Sequence, residues 1–376
     1  MIKQINYDIF LMYIITNMEK VFYTHDPRVN SVFRVLDKNG NIINNINHGL
    51  TDTELLEIYK WMIRINSADK KIINLQRQGF MGTYPSVQGQ EACQVAASFI
   101  LSKKDFLVPT FRETGMMWAK GVPLKSLMLY WMGNENGSKH PLDTEVLPVC
   151  IPVGSHLPHA QGIGWSQRLK KQEEITLCSF SDGATSEGDF HAALNFAAVF
   201  KSRTIFFCQN NAFAISTKTE QQTKSKTIAE KAFAYGMQGI KVDGNDVLAL
   251  IIALKEAKEM AKNNIPTLVE AKTYRLSDHT TTDNAKLYRE ESEVKEKLEE
   301  EPISRFEKYL LSLNILDQEK INQIKEEAKQ EAENISKEAL AEKDPELTEM
   351  FDYLLEKTYP ELESQKQALL KEYSNQ

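Results

Sequence analysis

Two short stretches carry residue types that could do chemistry together. One reads Ser181-Asp182-Gly183-Ala184-Thr185-Ser186-Glu187-Gly188-Asp189, the other Gln209-Asn210-Asn211-Ala212-Phe213-Ala214-Ile215-Ser216. Asp182 offers a carboxylate and Asn211 an amide oxygen. Both are hard ligands suited to Mg²⁺, a cation that keeps water and takes phosphate oxygens. Gly183 and Ala184 leave the backbone open beside an expected helix start, where amide N–H groups and the helix dipole favour a diphosphate. Taken singly, Asp-Gly is an ordinary turn and Asn-Asn an ordinary loop. Their separation by one helix-length segment makes the pair informative, because one β-α-β crossover brings Asp182 and Asn211 to the same sheet edge.

The elements that must position them are legible between residues 100 and 280. Apolar, β-branched and aromatic runs predict strands at Phe106–Pro109, Ile175–Phe180, Thr204–Gln209, Gly239–Val242 and Thr267–Tyr274. Helical patterns fit Leu157–Leu169, Glu187–Phe200, Ile228–Tyr235 and Asp246–Asn263. Ser186 and Asp189 read as a capping box at the start of the second helix. The alternation predicts an α/β fold, a mostly parallel sheet with helices on both faces. Ligands in such sheets sit beyond the carboxyl ends of the strands.

The 376 residues carry 45 Lys+Arg against 52 Asp+Glu, a formal net charge of −7, which argues against a nucleic-acid binder. The apolar run Ile9–Ile15 is too short to span a bilayer and lacks a basic flank, so no membrane or secretory segment is expected. Residues 1–47 read as an N-terminal arm packing on a neighbour, or translation starts at Met18. Cys93, Cys150, Cys178 and Cys208 include no C-x-x-C pair and read as reduced thiols. From Glu290 the chain is dense in Glu and Lys with apolar residues at helical spacing. The predicted division is therefore an arm (1–47), an α/β domain (48–290) and a C-terminal helical region (291–376).

The chain resembles the alpha subunits of thiamine-diphosphate-dependent 2-oxoacid dehydrogenases, the decarboxylating component of pyruvate and branched-chain complexes. The family's thiamine motif opens with Gly-Asp-Gly and closes with Asn-Asn; here Ser181 replaces the first Gly. The resemblance runs from about residue 48 into the C-terminal helices. It includes Arg77-Gln78-Gly79, Gly89-Gln90-Glu91-Ala92, Pro109-Thr110-Phe111-Arg112, Ile151-Pro152-Val153-Gly154 and Thr273-Tyr274-Arg275 through His279. It implies the thiamine-diphosphate-binding fold, with thiamine diphosphate and Mg²⁺ as cofactors.

The resemblance also implies residue roles. Arg112 holds the diphosphate, a task its forked guanidinium suits. Phe111 stands where the family often has Tyr. Val153 buttresses the bent cofactor, and Ile151 offers backbone contacts to the aminopyrimidine. Gly183 and Ala184 approach the diphosphate. Asp182, Asn211 and the Phe213 carbonyl bind Mg²⁺. His279 lies on a loop over the active site, touches the cofactor and assists acyl transfer to lipoyl. His159 also matches a family position, though packing at a helix start explains it as well. The segment Phe80-Met81-Gly82-Thr83-Tyr84-Pro85 is expected on the substrate side.

Thiamine chemistry needs a carboxylate on the aminopyrimidine, and charged helices after one α/β domain leave no room for a second thiamine-type domain. The resemblance implies a separate beta subunit supplying that glutamate, in a heterotetramer of two alpha and two beta chains. A lipoyl-bearing acyltransferase core would accept the acyl group. The reaction expected is oxidative decarboxylation of pyruvate. Alternatives are a branched-chain 2-oxoacid dehydrogenase, an acetoin dehydrogenase, and a degenerate scaffold subunit suggested by Ser181 and Phe111. The expected setting is bacterial-type cytoplasm, with an organelle matrix as the alternative.

Overall fold

A computed structural model describes residues 21–29, 31–44, 46–352 and 354–374. The run Ile9–Ile15 and Met18 lie outside them. Five parallel strands form the central sheet: β1 (Phe106–Val108), β2 (Thr176–Ser181), β3 (Thr204–Asn210), β6 (Gln238–Asp243) and β7 (Thr267–Lys272), in the order β1-β2-β3-β7-β6. A two-residue hairpin, β4 (Phe213–Ala214) and β5 (Thr217–Lys218), follows β3.

Strand alternation builds two cores. Leu177, Ile205, Phe207 and Val269 face one cluster, while Cys178, Phe180, Phe206, Cys208 and Leu268 face the other. A strand apolar on both faces needs helices on both sides. Against the first face pack α1 (Asp52–Arg77), α2 (Glu91–Ile100) and α7 (Val247–Lys262); against the second pack α5 (Leu157–Leu169) and α6 (Gly188–Phe200). Helices α3 (Thr114–Lys120) and α4 (Leu124–Trp131) extend the first side.

Caps fix several helix starts. Thr51 and Glu54 form a reciprocal capping box on α1. Asp246 caps α7 by accepting from the N–H groups of Leu248 and Ala249. Its other oxygen accepts from the Val35 and Leu36 N–H groups, both at 2.6 Å. That carboxylate ties residues 33–36 to the sheet, and Phe33 forms a parallel bridge with Val242. Val21, Phe22, Phe33, Val35 and Leu36 are buried in the chain's own core.

The charged C-terminal stretch forms α8 (Glu291–Leu298), α9 (Pro302–Ser312) and α10 (Gln318–Leu340), followed by α11 (Pro360–Tyr373). Ile321, Ile324, Ala328 and Ala332 of α10 turn into the first core. Beside them Arg64 of α1 grips Glu331 through two bonds of 2.6 and 2.7 Å. All four cysteines are free thiols; Cys93, Cys178 and Cys208 are buried and Cys150 is half-buried.

Three local expectations need correction. The box between Ser186 and Asp189 does not form. Residues Asp182–Ser186 make a 3-10 turn, and α6 starts at Gly188 with Glu187 at the N-cap and no side-chain cap. The turn consumes the residues that a capped helix would have used. Ile228–Tyr235 is a 3-10 segment, Ala229–Tyr235, not an α-helix. Strand β7 stops at Lys272, two residues short of the run Thr267–Tyr274, although the Thr273 N–H still donates to the Asn210 carbonyl at 2.9 Å; the Thr273 hydroxyl shares its proton between the Gly89 carbonyl and Asn245 Oδ1, at 2.8 and 2.7 Å.

Candidate active site

The carboxyl ends of β1, β2, β3 and β7 open into one cleft of about 270 Å³. Its wall contains Phe111 and Arg112 after β1, Gly183 after β2, Asn211 and Phe213 after β3, His279 beyond β7, and Val153 from the loop before α5. Asp182 and Ala184, on either side of Gly183 in the chain, are buried and stand outside this lining. Ile151, 49% exposed, stands outside the lining. His159, on α5, also lies outside it. Segment 80–85 packs on the His279 loop instead, with the Tyr84 N–H donating to the Thr281 hydroxyl and the Thr281 N–H to the Tyr84 carbonyl, each at 3.0 Å.

Asp182 has no exposed surface. One oxygen accepts from Gln222 Nε2 at 2.7 Å and Thr219 Oγ1 at 3.3 Å; the other, Oδ1, has no partner. A buried, unpaired carboxylate oxygen is costly, and burial pushes the Asp182 pKa up. Asn211 Oδ1 accepts only a long 3.4 Å bond from the Phe213 N–H, while its NH2 is committed to Gln90 at 2.9 Å. The Phe213 carbonyl accepts from Arg275 at 3.2 Å and has a second lone pair. These oxygens fit a hard divalent cation. Among the described residues, no cluster of three or more His, Cys, Asp or Glu side chains could hold a metal, so a cation here relies on one carboxylate, an amide, a carbonyl and ligands it brings with it.

The opposite wall is positive. Arg112 is buried, and its guanidinium donates to the carbonyls of Ser86 at 2.6 Å and His279 at 2.8 Å. Burial, and then Arg275 nearby, pulls its pKa down to about 10, leaving it charged at neutral pH. Arg275 is fully buried and donates to the carbonyls of Phe213 and Ile215 and to the Tyr288 hydroxyl. Both guanidiniums approach His279 Nδ1. Since arginine can only donate, that nitrogen accepts, and the imidazole proton sits on Nε2. Burial first, then the two arginines, lowers the His279 pKa to about 3. Two cations and a neutral N–H donor fit an anion such as a diphosphate.

Backbone detail supports close approach. A Cβ on Gly183 would stand 3.0 Å from the Ala214 Cβ, so a side chain here would require Ala214 to shift by a few tenths of an ångström. Gly89 (φ +89) would place a Cβ 2.3 Å from the Tyr274 carbonyl, which explains the glycine before Gln90. Ser181, where the resemblance has glycine, is extended (φ −107, ψ 173), a conformation open to any residue. Ile215 at the cleft rim holds a left-handed conformation (φ 54), strained for a β-branched side chain.

Several residues in the site receive no role from the sequence, although Gln90, Gln209 and Arg275 stand within the stretches quoted above. Gln90, Glu113 and Gln209 lie in the cleft wall and are joined by hydrogen bonds. Thr219 and Gln222 hold Asp182, and Arg275 braces the hairpin. Arg275 could have been found from its place just past a strand end; the glutamines give no such signal.

The sequence matches the family described as "Dehydrogenase E1 component" over residues 59–348. It is 36% identical over 333 residues to a pyruvate dehydrogenase E1 component subunit alpha of Acholeplasma laidlawii, covering 88% of this chain and 96% of that one. It is 34% identical over 347 residues to the protein of that name in Mycoplasma genitalium, covering 92% and 97%. It is 37% identical over 321 residues to a 3-methyl-2-oxobutanoate dehydrogenase subunit alpha of Mycobacterium tuberculosis, covering 85% and 88%.

Proposed function

The chain belongs to the dehydrogenase E1 component family, and from that premise we propose that it is the alpha subunit of a pyruvate dehydrogenase. The reaction is thiamine-diphosphate- and Mg²⁺-dependent oxidative decarboxylation of pyruvate with acyl transfer to a lipoyl group. The observation that carries the site assignment is the unpartnered, buried Oδ1 of Asp182, which lies in the chain between Ser181 and Gly183, two residues of a cleft wall that also holds Asn211, Arg112 and His279. Names of relatives covered nearly end to end support pyruvate.

Thiamine diphosphate supplies the nucleophilic carbon and the electron sink for decarboxylation. The chain's own residues do the rest. Asp182, Asn211 and the Phe213 carbonyl hold Mg²⁺. Arg112 binds the diphosphate, and Gly183 and Ala184 admit it closely. Val153 and Phe111 shield the cleft, and Ile151 contributes backbone at its mouth. His279 offers its Nε2 proton to what binds in the cleft.

A beta subunit completes the site, in an assembly of two alpha and two beta chains. Glu113 in the wall is already engaged by Thr110, Ser179 and Gln209, and Glu187 sits on the exposed rim. A partner carboxylate is therefore the fitting source for the aminopyrimidine contact. An apolar patch supports the place where that partner sits. Trp165 of α5 stacks on Phe200 of α6 at 4.3 Å, Phe200 on Phe196 at 5.7 Å, and Leu169, Phe196 and Val199 are at least half exposed. Helix α6 starts beside the cleft-rim residue Glu187 and carries the patch on its last turns, so a partner chain that runs along the whole of α6 reaches the cleft. The lipoyl-bearing core is the acyl acceptor, and bacterial relatives support a cytoplasmic setting.

A branched-chain substrate is the second reading, favoured by the Mycobacterium tuberculosis relative. Steady-state rates of the alpha–beta pair on pyruvate and on 3-methyl-2-oxobutanoate, with and without thiamine diphosphate, decide between them. Turnover that prefers the branched substrate would replace pyruvate, and no thiamine dependence would remove the enzyme reading.

A further inference from the structure

We propose that Glu113 sets the orientation of Asn211 through two intervening glutamine amides, so that the Asn211 oxygen and not its NH2 faces the cation side of the cleft. The proposal rests on the metal-site reading above and concerns three residues that reading does not use: Glu113, Gln209 and Gln90.

The polarity of the chain is forced from one end. Glu113 Oε2 receives the N–H groups of Thr110 at 2.8 Å and Arg112 at 3.2 Å, both donors only. Its Oε1 receives Gln209 Nε2 at 3.0 Å and the Ser179 hydroxyl at 3.0 Å. Gln209 must therefore turn its NH2 toward Glu113 and its Oε1 away. That oxygen accepts from Gln90 Nε2 at 3.0 Å. Gln90 in turn presents Oε1 to Asn211 Nδ2 at 2.9 Å. With its NH2 committed there, Asn211 has only Oδ1 left for the cleft.

Gln94 checks the assignment independently. Its Oε1 accepts from the Met116 N–H, which can only donate, so its NH2 must face Gln209 Oε1, at 3.0 Å. All of these side chains are buried, where an amide facing the wrong way has no water to turn to. The Phe213 N–H, 3.4 Å from Asn211 Oδ1, is too distant to fix that amide alone.

A neutral amide at 113 breaks the series. In Glu113→Gln the new Oε must stay with the Thr110 and Arg112 N–H groups, so its NH2 faces Gln209. Gln209 is then caught between two donors: unturned, its NH2 meets that of residue 113, and turned over, it meets the NH2 of Gln94, which the Met116 N–H holds in place. In the turned fraction Gln90 follows, and Asn211 presents NH2 to the cation. Moving the carboxylate one step along repairs this. In the double variant Glu113→Gln/Gln209→Glu, the carboxylate at 209 accepts from positions 113, 90 and 94, and Asn211 regains its orientation. Glu113, Gln209 and Gln90 are positioning residues, acting on the metal only through Asn211.

The test is Mn²⁺ binding to the alpha–beta complex at saturating thiamine diphosphate, followed by electron paramagnetic resonance, with thermal melting alongside. Glu113→Gln should raise the Mn²⁺ dissociation constant measurably and by up to about tenfold, the scale of one oriented hydrogen bond to a charge. The double variant should return to within about threefold of the original chain. Gln90→Met, which cuts the series at its last link and leaves Glu113 in place, should weaken Mn²⁺ in the same direction and covers the case of a Glu113 variant that fails to fold. Unchanged Mn²⁺ affinity in both Glu113→Gln and Gln90→Met, or a double variant no better than the folded single one, would overturn the relay. Asp182→Asn is the control for the underlying reading: if it too leaves Mn²⁺ binding unchanged, the metal site itself is wrong.

Discussion

The Arg112 guanidinium stands 3.2 Å from Nδ1 of His279 and also donates to the carbonyl of the same residue. Arg275 approaches that nitrogen from another side at 3.3 Å. The Asp283 carboxylate, which accepts from the His279 N–H at 2.8 Å, only partly offsets this positive field. The imidazole is thus neutral, with its pKa lowered from 6.5 to about 3.

A lowered histidine pKa makes stability pH-dependent in a definite sense. Above about pH 6.5 the side chain is neutral whether folded or unfolded, and its contribution is complete. As pH falls from there toward 3, the unfolded chain takes a proton that the folded site refuses, and stability is lost. Melting temperatures measured from pH 7 to pH 5 should therefore fall more steeply for the original chain than for His279→Asn. Parallel curves would show that the imidazole does not feel the two arginines. An anion beside those arginines cancels part of their field, so inorganic pyrophosphate should raise the His279 pKa, read by NMR of ¹³C-labelled histidine.

His279→Ala separates two chemical steps. Transfer to lipoyl needs a proton at a sulfur as the disulfide opens. A neutral imidazole is too weak an acid for that, so the role proposed for His279 requires a bound diphosphate to offset Arg112 and Arg275 and raise the His279 pKa toward neutrality. Loss of a general acid costs about 10²–10⁴ in the step it serves. In a paired assay on one alpha–beta preparation, lipoyl acylation should fall by that order while dye-coupled decarboxylation keeps much of its rate. Equal loss in both would mean that His279 orders the loop or the cofactor.

The unpaired Oδ1 of Asp182 is a cost to the fold that the proposed cation would relieve. Its folded pKa is raised, so at neutral pH the buried charge is a burden until something pairs with Oδ1. Asp182→Asn should raise the melting temperature of the metal-free protein and remove the stabilisation that Mg²⁺ with thiamine diphosphate gives the original chain. A variant that melts lower in the absence of metal, yet is still stabilised by Mg²⁺, would contradict both halves.

The frame of this site is written locally and its wiring is not. Helix α5 spans Leu157–Leu169 as its periodicity predicts, and β1, β2, β3 and β6 fall within about two residues of their apolar runs. Asp182, Asn211, Arg112 and His279 each follow a strand, so topology alone sends them to one edge. The Gln90–Gln209 and Gln209–Glu113 bonds join residues 119 and 96 positions apart. Nothing in the residues around Gln90, Gln94 or Gln209 distinguishes a buried amide from a solvated one until strand order is known. Ser186 and Asp189 failed as a cap for a local reason: Ser186 is the last residue of the 3-10 turn, which leaves Glu187 at the N-cap of α6.

The α5–α6 patch yields the last expectation. Phe196 and Val199 are 50% and 64% exposed, one turn apart on α6, and the Trp165–Phe200 stack continues the surface onto α5. Neither side chain belongs to the core, so a charge there leaves the alpha fold standing. Against an apolar partner surface the same charge would be desolvated without a counter-ion. The variants Phe196→Glu and Val199→Glu should melt like the original alpha chain when isolated. Mixed with beta subunit, they should assemble far less in analytical ultracentrifugation, and activity should fall in proportion to the assembled fraction. Normal assembly by both variants would move the partner to another face. Normal assembly with lost activity would mean that α6 shapes the cleft without serving as an interface.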